Sequence, residues 1–312
     1  MHNKPLTLSI VIVNFNGMRF LDECIASIQQ QVTFDHEVII VDNASTDGSA
    51  DFIAVTFPHV KLIRNPVNTG FTGGNNVGVA AARGHLVLLL NNDTKLLGPI
   101  DAAVAAFASP KIGALGAHLF YGDGRSQASV GFEHTPWRIV LTWVGLSKFS
   151  ALPSIFRLNE CEPAFYDKPQ QPVAWVSGAF LLTRLDLWRE IGGFDARYFM
   201  YVEDVDYCKQ VRMRGFDVAY TPDVRVTHYE GSGKAWIGQA ALTRTARSYR
   251  IFLTKHYGSP IAALTCAGVA AVFAARVPFY AVRHRLKGSV IDREKATGYA
   301  AAARQALRPI TE

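Results

Sequence analysis

Apolar and polar positions follow two alternating patterns over the first hundred residues. Leu6 to Val13 is a short, apolar and β-branched run, which suits a buried parallel strand. Gly17 follows, and then Leu21, Cys24, Ile25 and Ile28 fall at helical spacing on one face. Val38 to Val41 predicts a second buried strand, ending at Asp42-Asn43-Ala44-Ser45-Thr46-Asp47-Gly48. A short helix and a third strand, Val60 to Ile63, come next. Asn68-Thr69-Gly70-Phe71 then opens an alanine-rich helix that stops at Gly84, and the fourth strand, Leu86 to Leu90, ends at Asn91-Asn92-Asp93. Regular strand–helix alternation predicts an α/β fold with a doubly wound, mainly parallel sheet flanked by helices.

Beyond residue 100 the pattern loosens. Ile112 to Tyr121 reads as a strand closed by Gly122-Asp123-Gly124, and residues 132–171 read as an irregular, acceptor-facing insert or lid. Trp175 to Thr183 returns to strand character. A helix starts near Asp204, with Val205, Cys208 and Val211 at helical spacing, and ends at Gly215. Val218 to Tyr220 and Val224 to Thr227 read as short strands that deliver His228 to a strand end. Residues 235–256 read as a basic helix, with a boundary near Tyr257-Gly258-Ser259-Pro260. The expected organisation is a catalytic domain over 1–257, split into halves near residue 120, and a helical, basic C-terminal extension over 258–312.

A chain of 312 residues, 49% hydrophobic, can build a large core. The four cysteines, Cys24, Cys161, Cys208 and Cys266, form no C-x-x-C pair and read as buried free thiols of a reducing compartment. The first apolar run lacks a cleavage pattern and reads as a core strand, so a cytoplasmic location is expected. The net charge of +6, concentrated toward the C-terminus, suits an anionic substrate or a membrane surface. No nucleic-acid reader motif accompanies it.

Candidate chemistry gathers at predicted strand ends, where ligands bind in such sheets. Asn14, Asp42, Asn68 and Asp93 all lie there. The Asp42 carboxylate can be a turn former or can accept a hydrogen bond from the imide nitrogen of uracil or thymine. Asn91-Asn92-Asp93 is either a polar turn or a place where Asp93 holds a divalent cation against a diphosphate while Asn92 reaches a ribose. His228 is either structural or an imidazole ligand. Glu203-Asp204-x-Asp206 beside the aromatic run Tyr198 to Tyr201 suits helix capping, which is the reading taken for Asp206, or general-base work. The glycine-rich segment at 70–78 does not match G-x-G-x-x-G and follows the third strand, against a nicotinamide dehydrogenase. No P-loop motif is present.

Taken in order, several segments resemble those of family 2 glycosyltransferases of the GT-A fold, close to the bacterial rhamnosyltransferases. They are Ile12-Val13-Asn14-Phe15-Asn16-Gly17, Val41 to Gly48, Asn68-Thr69-Gly70-Phe71, Leu90-Asn91-Asn92-Asp93, Gly192-Gly193-Phe194-Asp195 with Glu203-Asp204-x-Asp206, and His228. The resemblance covers residues 6 to about 235. It implies inverting transfer of a sugar, best matched by L-rhamnose from TDP-rhamnose, to a glycan or a polyprenyl-diphosphate-linked saccharide in cell-surface polysaccharide synthesis. Carried over by position, it implies Asp204 as base with Glu203 as the next candidate. Asp42 would meet the nucleotide base and Asn92 the ribose, with Asn14, Asn16, Asn68, Gly70, Phe71 and Asn75 also in the donor site. Asp93 and His228 would hold Mg²⁺ or Mn²⁺. Many relatives carry Asp-x-Asp where this chain has Asn91-Asn92-Asp93, so only the last carboxylate is kept.

Two other classes compete. A non-catalytic sugar-nucleotide binder would not need base and metal positions filled. A metal-dependent sugar nucleotidyltransferase usually carries a glycine- and lysine-rich loop after its first strand, and Asn14-Phe15-Asn16-Gly17 is not one. The stretch Ile261 to Val282 is long enough to span a bilayer but is alanine-rich and contains Arg276 and Pro278. With Arg283, His284, Arg285 and Lys287 following, it reads as an interfacial helix on the inner face of the cytoplasmic membrane.

Overall fold

The computed structural model describes residues 7–145, 153–170, 172–229 and 239–310. The N-terminal elements are β1 (Leu8–Asn14), α1 (Met18–Gln31), β2 (His36–Asp42), α2 (Ser49–Thr56), β3 (Lys61–Arg64), α3 (Gly70–Ala80) and β4 (Leu86–Asn91). There follow β5 (Thr94–Leu96), α4 (Asp101–Ala106), β6 (Ile112–Phe120), β7 (Ser126–Gln127), β8 (Val130–Gly131) and α5 (Pro136–Val144). Then come β9 (Trp175–Val176), β10 (Phe180–Arg184), α6 (Leu185–Ile191), α7 (Glu203–Met213) and β11 (Asp217–His228). The chain closes with α8 (Gln239–Tyr257), α9 (Ser259–Lys287) and α10 (Val290–Leu307).

The main sheet runs β3-β2-β1-β4-β10-β6-β11-β5, with β7 on β6. Its first four strands are parallel, as the strand–helix alternation predicts. Beyond β4 the pairing is mixed: β10 is antiparallel to both β4 and β6, while β6 and β11 are parallel. Successive β1 side chains serve opposite faces. Leu8, Ile10 and Ile12 join Leu21, Cys24, Ile25 and Ile28 of α1 in one core. Val11 and Val13 face α3, where a Cβ on Gly78 would lie 2.3 Å from Val11 Cγ1 and one on Gly74 2.6 Å from Val13 Cγ1. Gly74 and Gly78 thus serve close helix–strand packing.

Several expected boundaries shift for local reasons. The strand expected over Trp175–Thr183 is interrupted at Ser177-Gly178-Ala179, because Gly178 N donates to a side chain of α7 and Asn91 N donates to Ala179 O. The two short strands expected around Tyr220 and Val226 are one strand, β11, with a register shift between Thr221 and Arg225 around Pro222. The expected insert over 132–171 holds α5 and 3-10 helices at Ser154–Phe156 and Pro163–Asp167. Cys24, Cys208 and Cys266 are buried as expected, but Cys161 is exposed. The loop expected at 230–233 and the helix start at Ala235 lie outside the described residues.

Contacts divide the chain into two compact units. The first comprises Met1–Gly131, Asn159–Ala196 and Asp204–Ser232 and carries the sheet. The second comprises Phe132–Leu158, Arg197–Glu203 and Gly233–Glu312. In the second unit α9 packs against α5, α8 and α10 and buries Ala262, Thr265, Cys266, Val269, Ala270 and Phe273. Arg276, which a span would have to drive into lipid, instead donates to Trp143 O and lies over the Tyr299 ring.

Candidate active site

In the parallel half of the sheet the order of strands reverses between β1 and β4, which opens a crevice at their carboxyl ends. Asn14 ends β1 there, fully buried. Its Nδ2 lies within hydrogen-bond distance of Asp42 Oδ1 at 2.9 Å, Ser49 Oγ at 2.8 Å and Ser45 Oγ at 3.1 Å. Its Oδ1 accepts from Asn92 Nδ2 at 3.0 Å, joining the ends of β1 and β4. Gly17 is what permits this bond: a Cβ there would lie 2.1 Å from Asn92 Nδ2 and 2.4 Å from Asn14 Oδ1. Asn14 is therefore a buried organiser of Asp42 and Asn92 rather than an open contact.

Asp42 is buried and its Oδ2 also accepts from Ser45 N at 3.2 Å. Asn16, at φ 53, holds the 44–48 loop by accepting from Thr46 N at 2.8 Å. Asn43, which the sequence reading quoted without a role, is a second organiser. Its Nδ2 donates to Gly70 O at 2.8 Å, and its Oδ1 accepts from Asn65 Nδ2 at 2.9 Å and Thr69 Oγ1 at 3.0 Å. Asn68 Oδ1 accepts from Gly70 N at 2.9 Å, stabilising the turn into α3, where Gly70 sits at φ 76. Asn75 is buried, and its Nδ2 donates to Phe71 O at 2.9 Å inside α3.

β11 brings His228 to Asp93, with Nε2 3.4 Å from Asp93 Oδ1 and both side chains largely buried. Tyr229 N donates to Asp93 O at 2.9 Å and fixes the two backbones together. Two contacts set the imidazole tautomer. Nδ1–H donates to Gln127 Oε1 at 3.0 Å, and Nε2 accepts from Asn91 Nδ2 at 3.1 Å. Nε2 thus lies between the Asn91 amide and the Asp93 carboxylate, and its one lone pair, which meets the Asn91 amide here, is the one that a cation beside Asp93 would take. Two ligands of one octahedral Mg²⁺, each at 2.0–2.1 Å, lie roughly 3 Å apart, so the pair fits such an ion with little adjustment. Among the described residues no three His, Cys, Asp or Glu side chains gather as a complete metal site. Such an ion would draw its other ligands from substrate oxygens and water, as Mg²⁺ commonly does. Sequence reading missed Gln127, because β7 is only two residues long and no periodicity marks it.

Asp204 lies in the first turn of α7, half-buried. Burial pushes its carboxyl above the usual range, against the pull of backbone N–H bonds from Gly178 to Oδ2 at 2.9 Å and from Val205 to Oδ1 at 2.8 Å. Gly178 lies between this carboxylate and the Phe71 ring: a Cβ there would be 3.2 Å from the ring and 3.5 Å from Asp204 Cβ. Phe71 in turn meets Phe194, with ring centroids 6.0 Å apart. The apolar surface beside the Asp204 carboxylate thus includes Phe71, which the sequence reading had not placed there. Glu203 is more deeply buried, at 4% exposure. Tyr201 and Val202, just before α7, hold φ of 76° and 71°. Left-handed geometry at a β-branched residue costs about 1–3 kcal/mol, a strain that clusters at functional sites.

These features have counterparts among known proteins. Residues 9–141 match the family described as Glycosyl transferase family 2. Over 269 residues the chain is 29% identical to the N-acetylglucosaminyl-diphospho-decaprenol L-rhamnosyltransferase of Mycobacterium tuberculosis, covering 80% of this chain and 85% of that protein. Two solved structures share the fold. GalNAc-T7, crystallised with UDP, GalNAc and Mn²⁺, aligns at a TM-score of 0.60 and 16% identity, over 85% of this chain and 50% of its own. The mannosyltransferase PcManGT of Pyrobaculum calidifontis, in complex with GDP-Man and Mn²⁺, aligns at 0.56 and 18%, over 98% and 88%. With its GT-A type sheet and these relatives, the chain is a glycosyltransferase that resembles those of family 2, the family matched by its residues 9–141.

Proposed function

We propose that this glycosyltransferase moves L-rhamnose from TDP-rhamnose, with inversion, to a polyprenyl-diphosphate-linked saccharide in cell-surface polysaccharide synthesis. The mycobacterial relative, which acts on a decaprenol-diphosphate-linked sugar, supports the choice of sugar and acceptor. The observation that carries the mechanism is Asp204, a half-buried carboxylate with a raised pKa beside Phe71, on the same sheet unit as the Asp93–His228 pair.

Asp204 is assigned as the general base. It takes the proton of the acceptor hydroxyl as that oxygen bonds to the anomeric carbon, while the bond to the nucleoside diphosphate breaks. One carboxylate is enough, because single displacement forms no covalent intermediate. Asp42 is assigned to the imide N–H of the base and Asn92 to the ribose, both held by Asn14. Asp93 and His228 would hold a divalent cation, Mg²⁺ or Mn²⁺, which supplies charge neutralisation for the leaving diphosphate when bound. Attack on a β-linked donor gives an α-rhamnoside.

We also assign the protein to the cytoplasmic membrane surface. Within α9, Ile261, Leu264, Phe279, Val282 and Leu286 are exposed on the helix whose other face is packed, and exposed Arg285 and Lys287 follow. Mean hydropathy reaches 1.8 over an 18-residue window of α9, enough by length and composition for a span. One packed face and one apolar exposed face favour an interfacial helix.

Incubation with TDP-rhamnose alone should release TDP and rhamnose slowly, and a polyprenyl-diphosphate-linked N-acetylglucosamine should then gain one rhamnose. Asp204→Asn should lower transfer by roughly two to four decades. Release of pyrophosphate instead would assign nucleotidyl transfer, and near-normal turnover in folded Asp204→Asn would move the base to Glu203.

A further inference from the structure

The second unit has a charge imbalance that the sugar-transfer reading does not use. Between Gln239 and Ile310 the chain carries twelve Lys and Arg side chains against two acids, Asp292 and Glu294. Arg283 faces Asp292 at 3.3 Å. Neither acid lies on α8 or in the second half of α10, where Arg244, Arg247, Arg250 and Arg304 lie, and Arg308 follows directly after α10.

Three of those guanidinium groups converge. Arg247, Arg250 and Arg308 line one cavity together with Gln305, Pro309 and Ile310. Arg250 is half-buried and held in place: its Nη1 donates to Ala306 O at 3.2 Å, near the end of α10, and the group also meets the Cys266 thiol. A basic side chain at a helix C-terminus has an ordinary structural role, because it complements the exposed carbonyls. One guanidinium discharges that role here. Among the described residues the guanidinium groups of Arg247 and Arg308 make no hydrogen bond or ion pair, and both side chains are exposed at the rim of the same cavity. Three like charges around one cavity repel each other unless an anion lies between them. Planar guanidinium forks match the oxygens of a phosphate, and several forks together suit a group that carries two negative charges.

The geometry points to a phosphate-binding site formed by Arg247, Arg250, Gln305 and Arg308. Its ligand is a phosphomonoester or diphosphate group, carried either by an anionic lipid headgroup at a membrane surface or by a soluble phosphate compound. Arg250 and Gln305 form the floor, and Arg247 and Arg308 close over the anion from α8 and from beyond α10. The site lies wholly in the second unit and does not depend on the identity of the sugar or on the base.

The test uses the full chain in EDTA, so that a cation-dependent donor site takes no diphosphate. Inorganic pyrophosphate is titrated calorimetrically into the parent, the double variant Arg247→Gln/Arg308→Gln, and Arg244→Gln. Arg244 is on α8 but lies over the Phe199 ring, 4.7 Å from its centroid, outside the cavity. The double variant should bind roughly tenfold or more weakly, the loss of charge-assisted hydrogen bonds, while Arg244→Gln matches the parent. In a second arm, neutral phosphatidylcholine vesicles are compared with vesicles containing phosphatidic acid. If only the phosphatidic acid increment is lost in the double variant, the ligand is a lipid headgroup. If pyrophosphate binds and the lipid increment is unchanged, it is a soluble phosphate. Equal binding of both probes by parent and double variant, or equal weakening by Arg244→Gln, overturns the site. Tighter pyrophosphate binding by Glu312→Gln would assign the arginines to the chain's own end and also overturn it. Slow donor hydrolysis should persist in every variant, so failure of this site is separable from failure of the transferase reading.

Discussion

Gly17→Ala is the sharpest probe of how the donor site is held. The backbone at Gly17, φ −101° and ψ 15°, accepts alanine, so no torsional strain is introduced. The added methyl would lie 2.1 Å from Asn92 Nδ2 and 2.4 Å from Asn14 Oδ1, more than 1 Å inside ordinary contact. Asn14 cannot yield easily, because it is fully buried and bonded to Asp42 and Ser49. Asn92 must therefore leave, which breaks the 3.0 Å bond across the β1–β4 crevice. Overpacking costs about 1–3 kcal/mol. A buried amide oxygen left without its donor adds about 1–3 kcal/mol. Reduced freedom of the unfolded chain returns about 0.4–1 kcal/mol. The expected net loss is about 2–4 kcal/mol, read by urea unfolding with tryptophan fluorescence. TDP binding, measured calorimetrically, should also weaken, since Asn92 leaves the position proposed for its ribose contact. Gly98→Ala is the control: nothing lies within 4 Å of its Cβ, and its stability should stay within about 0.5 kcal/mol of the parent. A Gly17→Ala protein as stable as Gly98→Ala, with unchanged TDP affinity, would refute the account of the crevice.

Three further outcomes follow from the same geometry. The acid limb of kcat should lie above the ordinary carboxylate range, because burial raises Asp204 and only its ionised form accepts a proton; a limb at the ordinary range would remove the assignment. The same shift makes the folded state bind the extra proton just above the ordinary value, so this group's contribution to stability falls as pH rises through that window. Gln127→Ala, which frees His228 Nδ1, should raise the Mn²⁺ concentration needed for half-maximal activity by about 10–100-fold with kcat at saturating metal little changed, whereas EDTA-resistant activity in the parent would sink the metal role. Leu264→Glu/Leu286→Glu, two sites 78% and 79% exposed, should abolish flotation with vesicles while leaving the circular dichroism spectrum and melting temperature intact; unchanged flotation would leave α9 a packing helix.

The local pattern of residues determined a great deal. The short apolar runs at β1, β2 and β4, bounded by turn residues, read as buried strands, and Leu21, Cys24, Ile25 and Ile28 face them, because a period of 3.6 leaves one apolar stripe on α1. Strand–helix alternation up to β4 made a parallel sheet follow, and a parallel sheet puts Asn14, Asp42 and Asp93 at one edge. Tertiary structure decided what local pattern does not encode. The insertion of β10 between β4 and β6 joins Arg184 to Leu86 on one side and Thr183 to Ala114 on the other, and no spacing announces it. β5, with three residues, and β7, with two, are too short to show a period, yet β7 supplies Gln127, the partner of His228 Nδ1. The roles of Gly17 and Gly178 depend on side chains that arrive from β4, α3 and α7, and sequence shows only that they are glycines. The resemblance carries Asn14 and Asn75 to the donor site by position alone, and only the fold shows their bonds: the Asn14 amide joins Asp42 to Asn92, and the Asn75 amide nitrogen donates to Phe71 O inside α3. A polar side chain's role is set by which partners fill its hydrogen bonds, and only the folded chain brings those partners together.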